Sequence, residues 1–214
     1  VAVFGVSFNP IHYGHLLLAD EVLERLRLDR VLFVPAGRPP HKPLATLAPA
    51  ADRYAMVTLA IADHPRFEVS RVELDREGPS YTVDTLEILA ATGDELYFII
   101  GSETFLDLLS WRAPRRIAEL ARLVVVPRTG STFDPEGAAA QKVVRDIGAD
   151  GFVEAGAKAE RGRPIIVVHA TSLPISSSEL RARARDGRSL AYRLPESLVS
   201  YIREHRLYAA GGTG

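Results

Sequence analysis

The chain has 214 residues, a formal net charge of -1, 47% hydrophobic and 25% charged residues, and no cysteine. That length allows a sizeable core in one large domain or two small ones. Near-neutrality excludes a broad cationic surface for nucleic acid, so any phosphate binding must be local. The lack of cysteine excludes disulfides and thiolate chemistry and agrees with a reducing compartment. No apolar run nears the roughly 20 residues that cross a bilayer, and the chain opens on a strand rather than on a signal peptide. A soluble, cytoplasmic protein with no membrane and no nucleic-acid partner is expected.

Taken in order, Val1 to Phe4 reads as a buried strand bounded by Gly5. A helix from near Gly14 puts Leu18, Val22 and Leu26 on one face, with Asp20, Glu21, Glu24 and Arg25 toward solvent. Val31 to Val34 is an uninterrupted apolar strand of the kind covered on both faces of a parallel sheet. Strand, helix and strand within about 35 residues make a βαβ unit. Residues 36–47 form a proline-rich loop carrying Arg38, His41 and Lys42. A helix from about Pro49 to Asp63 follows, with Met56, Leu59 and Ala60 as core, then a strand at Phe67 to Ser70. Thr82 is the expected N-cap of a helix through Leu86 and Leu89.

Leu96 to Ile100 is the next strand, ending at Gly101-Ser102-Glu103. A helix holding Phe105, Leu108 and Leu109 leads to Trp111, and another around Ile117 and Leu120 leads into the strand Leu123 to Val126. Between Arg128 and Arg163 only a helix at Ala138 to Val144 is expected. Ile165 to Val168 is the last strand, Ile175 to Arg181 a serine-rich helix start, and Pro195 to Arg206 the final helix. Residues 1–208 are expected to form one domain and 209–214 a flexible tail. Strands alternating with helices predict an α/β fold on a mainly parallel sheet, with ligands beyond the carboxyl ends of the strands.

Two constellations could bind phosphate. His12 and His15 stand between the first strand and its helix, where unpartnered N–H groups and the helix dipole favour an anion. A purely structural turn is the alternative; a metal site lacks both an HExxH pattern and an acidic or thiol neighbour. Ser176, Ser177 and Ser178 with Arg181 one turn later offer more donors than a helix cap requires, although capping accounts for one hydroxyl. The loop at Arg38 to Lys42 is either a solvated connection or a semi-rigid lid that brings Lys42 over a triphosphate. Trp111, the only tryptophan, is either a core residue or a stacking surface for a flat heterocycle. His41, His64, His169 and His205 have no spacing that assigns them a role. Neither GxGxxG nor GxxxxGK[ST] occurs, so any nucleotide is held by another kind of loop.

GVSFNPIHYGH resembles the GGxFNPxHxGH opening of the nucleotidyltransferase superfamily, and ISSSELR resembles its ISSTxIR cassette. PAGRPPHK, GPSYTVDTL, YFIIGSE, the LLSW before Arg112 and the closing YIREHRLY are similar to bacterial nicotinate-nucleotide adenylyltransferases. The resemblance implies a Rossmann-like, doubly wound fold with helices on both faces of the sheet. It implies adenylyl transfer from ATP to nicotinate mononucleotide, giving deamido-NAD and pyrophosphate, with Mg²⁺ carried in on ATP and no metal held by the protein itself. By the same resemblance His15, His12, Arg181 and Lys42 carry the catalysis. Gly5, Ser7, Phe8, His12, His15, Ser176, Ser177 and Arg181 would hold ATP, with Gly101 and Glu103 at its ribose. Ser7, Lys42, Tyr81, Thr82, Trp111 and Arg112 would hold the nicotinate nucleotide.

Departures from the family pattern carry their own expectations. Val6 replaces a glycine, and a positive φ there would strain it by about 1 kcal/mol or more. Glu103 replaces an aspartate, while Ser178 and Leu180 are mild changes. The nicotinate carboxylate would meet donors at the helix start near Thr82 and the charge of Arg112, with no acidic residue nearby placed to favour the amide. The alternatives are a sister enzyme using nicotinamide mononucleotide or phosphopantetheine, and a nucleotide-sensing module without turnover. A homo-oligomer is compatible with all of these.

Overall fold

The computed structural model describes residues 1–128, 130–157 and 162–209. The expected tail therefore lies outside the described residues from 210 onward. Among the described residues the strands are β1 (Ala2–Val6), β2 (Val31–Pro35), β3 (Phe67–Val69), β4 (Leu96–Gly101), β5 (Ala121–Val126), β6 (Phe152–Glu154) and β7 (Ile165–Val167). The helices are α1 (Tyr13–Arg25), α2 (Ala50–Ile61), α3 (Thr82–Ala90), α4 (Ser102–Leu106), α5 (Pro114–Leu120), α6 (Ala138–Ile147), α7 (Ser177–Arg185) and α8 (Glu196–Glu204).

The strands form one sheet in the order β3-β2-β1-β4-β5-β7-β6. Pairs β1–β4, β4–β5, β5–β7 and β6–β7 are parallel. Runs such as Leu123 to Val126 are buried throughout, because helices cover both faces of such a sheet and leave no side that tolerates polar residues. The chain winds outward from β1 through β2 and β3, then returns to β4 and winds the other way. This reversal makes the carboxyl end of β1 the place where a doubly wound fold binds its ligand.

The structure departs from the sequence reading in four places. β6 was not anticipated: it is three residues flanked by glycines, too short to show a period, and it exists because it pairs with β7. The helix expected to run to Trp111 is a single turn, α4, followed by a separate 3₁₀ turn at Leu108–Ser110. Leu59 is 39% exposed; the inner face of α2 is Arg53, Met56, Val57 and Ile61. Thr82 is the first residue of α3 rather than its cap, and Tyr81 at the cap position makes no side-chain bond to the helix.

By its contacts the chain divides into two compact, discontinuous units: residues 1–4, 19–31 and 81–172, and residues 5–18, 32–80 and 173 onward. In the first, Phe105, Phe133 and Phe152 meet edge to face with centroids 5.7 to 6.2 Å apart. In the second, Phe33 lies 5.7 Å from Phe8 and 5.1 Å from Phe67. There α8 is tied to α2 by Tyr201, whose hydroxyl donates to Asp52 Oδ1 at 2.7 Å.

Candidate active site

The second unit contains Gly5, Ser7, Phe8, His12, His15, Lys42, Ser176, Ser177 and Arg181. Gly5 and Val6 end β1, and Val6 does not adopt a positive φ. The left-handed residue of the turn is Phe8, at φ 47 and 1% exposed, so the condition for strain at Val6 is not met. The Phe8 ring packs edge-on against His15 with centroids 5.3 Å apart. The two imidazoles lie 3.8 Å apart, and the His12 backbone N–H donates to His15 Nδ1 at 3.3 Å. A neutral His15 with that acceptor carries its proton on Nε2, at the far side of the ring. Room at Gly14 is tight: a Cβ there would sit 3.0 Å from His12 Nδ1 and press on the ring.

The three serines divide their work. Ser176 is the N-cap of α7, its Oγ accepting from Glu179 N at 3.2 Å. Ser177 Oγ donates to the Pro10 carbonyl at 2.9 Å, across 167 residues of chain. Arg181 donates through Nη1 to the Asn9 carbonyl at 2.7 Å and through Nη2 to Ser178 Oγ at 3.2 Å. These bonds fasten the late helix to the first turn. Ser177 thus spends its proton on the tether, whereas the Ser176 hydroxyl, which only accepts from the helix, retains its own proton.

Lys42 reaches in from the exposed proline-rich loop, and its ammonium donates to Ser7 Oγ at 3.1 Å. Burial of that end, then the nearby charges of Arg181 and Arg53, hold its pKa below the usual lysine value. Three cations converging in this way, with Ser7 and the first turn between them, make a site that is satisfied by an anion.

Three residues in this network, Asn9, Arg53 and Tyr208, had no role assigned from the sequence. Asn9, 4% exposed, accepts at Oδ1 from Ala48 N at 3.0 Å and from the Tyr208 hydroxyl at 2.8 Å. Its Nδ2 donates to Thr46 O at 3.0 Å. Arg53, 1% exposed, donates to three backbone carbonyls: Ser7 at 2.7 Å, Ala48 at 2.9 Å and Gly37 at 3.3 Å. A basic residue inside the 53/56/57/61 apolar stripe was the available signal for Arg53. Tyr208 closes the YIREHRLY segment, and its phenol is pushed well above its usual pKa by burial.

The first unit contains Gly101, Glu103, Tyr81, Thr82, Trp111 and Arg112. Gly101 ends β4; Glu103 is solvent-facing and pairs with Arg128 at 3.7 Å. A cavity of about 410 Å³ beside that pair is lined by Arg128, Phe133, Glu154, Val167 and His169 among others. Trp111 is half-buried with its ring edge-on to Phe98, centroids 6.2 Å apart. Arg112 lies 4.9 Å over the Tyr81 ring, and its Nη1 is 3.3 Å from Asp84 Oδ2. An acidic residue does stand beside these proposed ring contacts: Asp84, in the first turn of α3, partners Arg112. Among the described residues no group of three or more His, Cys, Asp or Glu side chains is placed to hold a metal ion.

The cytidylyltransferase-like family model matches residues 3–183. A protein of Geotalea daltonii named probable nicotinate-nucleotide adenylyltransferase is 44% identical, covering 99% of each chain. One of the same name from Thermus thermophilus is 43% identical over 97% of this chain and 98% of its own. A nicotinic acid mononucleotide adenylyltransferase of Plasmodium falciparum, solved with NaAD, superposes with a TM-score of 0.71 at 18% identity, covering 97% and 96% of the two chains. That likeness speaks for the fold, and the sequence matches speak for the family. The chain belongs to the cytidylyltransferase-like nucleotidyltransferases, among those relatives that carry the name nicotinate-nucleotide adenylyltransferase.

Proposed function

We propose that this chain transfers the adenylyl group of ATP to nicotinate mononucleotide, releasing pyrophosphate and forming deamido-NAD in NAD biosynthesis. One observation supports the reading beyond family membership: Ser177 and Arg181 are bonded to the carbonyls of Pro10 and Asn9, which joins the two signature segments as a shared anion site would require. The reading treats residues 1–208 as a single catalytic domain and keeps the protein in the cytoplasm. No helix among the described residues is long and apolar enough to cross a membrane.

The acceptor phosphate is already an anion at neutral pH, so no general base is required. Its oxygen attacks the α-phosphorus of ATP, a P–O bond forms, and the bond to the bridging oxygen breaks with its electron pair leaving on pyrophosphate. The protein must bring repelling anions into line and stabilise charge that builds on the α-phosphate and the leaving group. In this reading His15, donating from Nε2, and His12 serve the α-phosphate. Ser176 and the remaining donors of Arg181 serve the leaving group, and Lys42 closes over the acceptor phosphate beside Ser7. The residues around this site are cationic or neutral donors, which suits phosphates and does not suit a resident metal cage. Mg²⁺ accordingly enters as part of the ATP substrate.

For the ring, Tyr81, Thr82, Trp111 and Arg112 remain the proposed contacts. Because Tyr81 at the cap position makes no side-chain bond to α3, the helix start offers N–H groups and positive potential to a carboxylate beside Arg112, whose charge Asp84 partly offsets. Pyrophosphate release is to be followed with ATP and, in turn, nicotinate mononucleotide, nicotinamide mononucleotide and phosphopantetheine. Preferred turnover of the first is expected. Preference for another acceptor would reassign the substrate, and ATP binding without product would make the chain a sensor.

A further inference from the structure

Among the described residues Arg53 is the one fully buried guanidinium, and its donors go to backbone carbonyls rather than to a carboxylate. The three carbonyls belong to two connections, the turn after β1 and the two ends of the loop between β2 and α2. Ser7 lies in the turn after β1, Gly37 in the loop after β2, and Ala48 just before α2. Burying a cation in this way is costly, and neutral side chains could join loops at lower cost. The retained charge therefore has a use. At Gly37 the loop has no slack, because a Cβ there would land on the Glu73 carbonyl oxygen. Arg53 thus fastens a close-packed loop, the one that delivers Lys42, to the carbonyl of the very residue whose hydroxyl Lys42 binds.

We infer that Arg53 is the positioning residue of the anion site, setting the Ser7 turn and the Lys42 loop against each other and adding its buried charge to the field an incoming phosphate meets. This rests on the adenylyltransferase reading only for what the phosphate belongs to. The charged groups around Lys42 are Arg181 on α7 and Arg53 on α2. Behind Arg53 stand Tyr208 and Glu73, and Asp52 faces both Tyr208 and Tyr201. Removing the Arg53 charge should relieve Lys42 and raise its titration midpoint; keeping a charge there while losing the forked donors should not.

The chain has only three lysines, Lys42, Lys142 and Lys158, so ¹³C labelling at lysine Cε gives three resonances, and Lys42→Arg assigns the one in question. The full-length protein, Arg53→Lys and Arg53→Gln are titrated without ligand, then with inorganic pyrophosphate, and assayed for kcat and KM. In Arg53→Gln the Lys42 midpoint rises, pyrophosphate binding weakens, and kcat/KM for the acceptor falls by about 10²-fold, the scale expected when a phosphate contact shifts by about an ångström. In Arg53→Lys the midpoint stays near that of the wild type while kcat/KM still falls, with the loss mainly in KM for the acceptor. Should Arg53→Gln fail to fold, Arg53→Lys decides alone, and wild-type kcat/KM in it overturns the inference. An unmoved Lys42 midpoint and unchanged pyrophosphate affinity in folded Arg53→Gln overturn it as well. If the wild type makes no product from ATP and nicotinate mononucleotide, the adenylyltransferase reading fails, yet the lysine titration and pyrophosphate binding still test Arg53.

Discussion

Replacing Asn9 by alanine tests the hub of the site without touching its proposed chemistry. The substitution deletes an acceptor shared by Ala48 N and the Tyr208 hydroxyl, and a donor to Thr46 O. Thr46 is exposed, so water replaces that bond at little cost. Ala48 is 2% exposed and its N–H would be stranded, a loss of about 1–3 kcal/mol; the half-buried Tyr208 hydroxyl adds about 1 kcal/mol. The total is about 3 kcal/mol, which for a chain of this size corresponds to roughly 6–12 °C of melting temperature. The Arg181 bond goes to the Asn9 backbone carbonyl and survives the change. Thermal melts of Asn9→Ala, Tyr208→Phe and the double variant separate the terms. The Asn9→Ala penalty should shrink by about 1 kcal/mol when Tyr208→Phe is already present. A melting temperature within about 2 °C of wild type, or strict additivity, would refute the hub.

Four further outcomes follow from the same geometry. His15→Ala should lower kcat by about 10²- to 10³-fold with little change in ATP affinity, the pattern for a donor that acts mainly on developing charge; equal activity would remove His15 from the mechanism. Gly14→Ala presses on the His12 ring and should cut turnover while circular dichroism stays native; full activity would mean that the ring position is unimportant. Asp84→Ala frees Arg112 from its carboxylate and should lower KM for nicotinate mononucleotide by up to about 5-fold, the range of an exposed ion pair, with no such gain for the nicotinamide form. Burial, with the bond to Asp52 second, pushes the Tyr201 phenol up to about 12, above its unfolded value near 10. Its stabilising contribution is therefore complete below pH 10 and lost as pH rises toward 12, so Tyr201→Phe should flatten the fall in stability across that window. An identical alkaline profile in the variant would show that the bond to Asp52 carries no linkage.

Much of this protein could be read from local pattern. The buried strands announced themselves because a parallel sheet covered on both faces demands uninterrupted apolar runs, and β2, β4 and β5 are such runs. The serine cluster and HYGH stood out because each offers donors at a helix start, which is a property of a few adjacent residues. What stayed hidden was set by distance along the chain. β6 is a strand only because β7 lies beside it. Ser177 looks like another phosphate donor until its partner, Pro10, is brought to it from 167 residues away. Asp84 is one more helical acid until Arg112 turns toward it. Arg53 stands in the apolar stripe of α2, but only the folding of the first turn and of both ends of the loop between β2 and α2 onto its guanidinium shows what that buried charge holds. Charge, periodicity and capping are written in neighbouring residues. The direction in which each donor points depends on which carbonyl the folded chain places opposite it, and that was decided by tertiary structure.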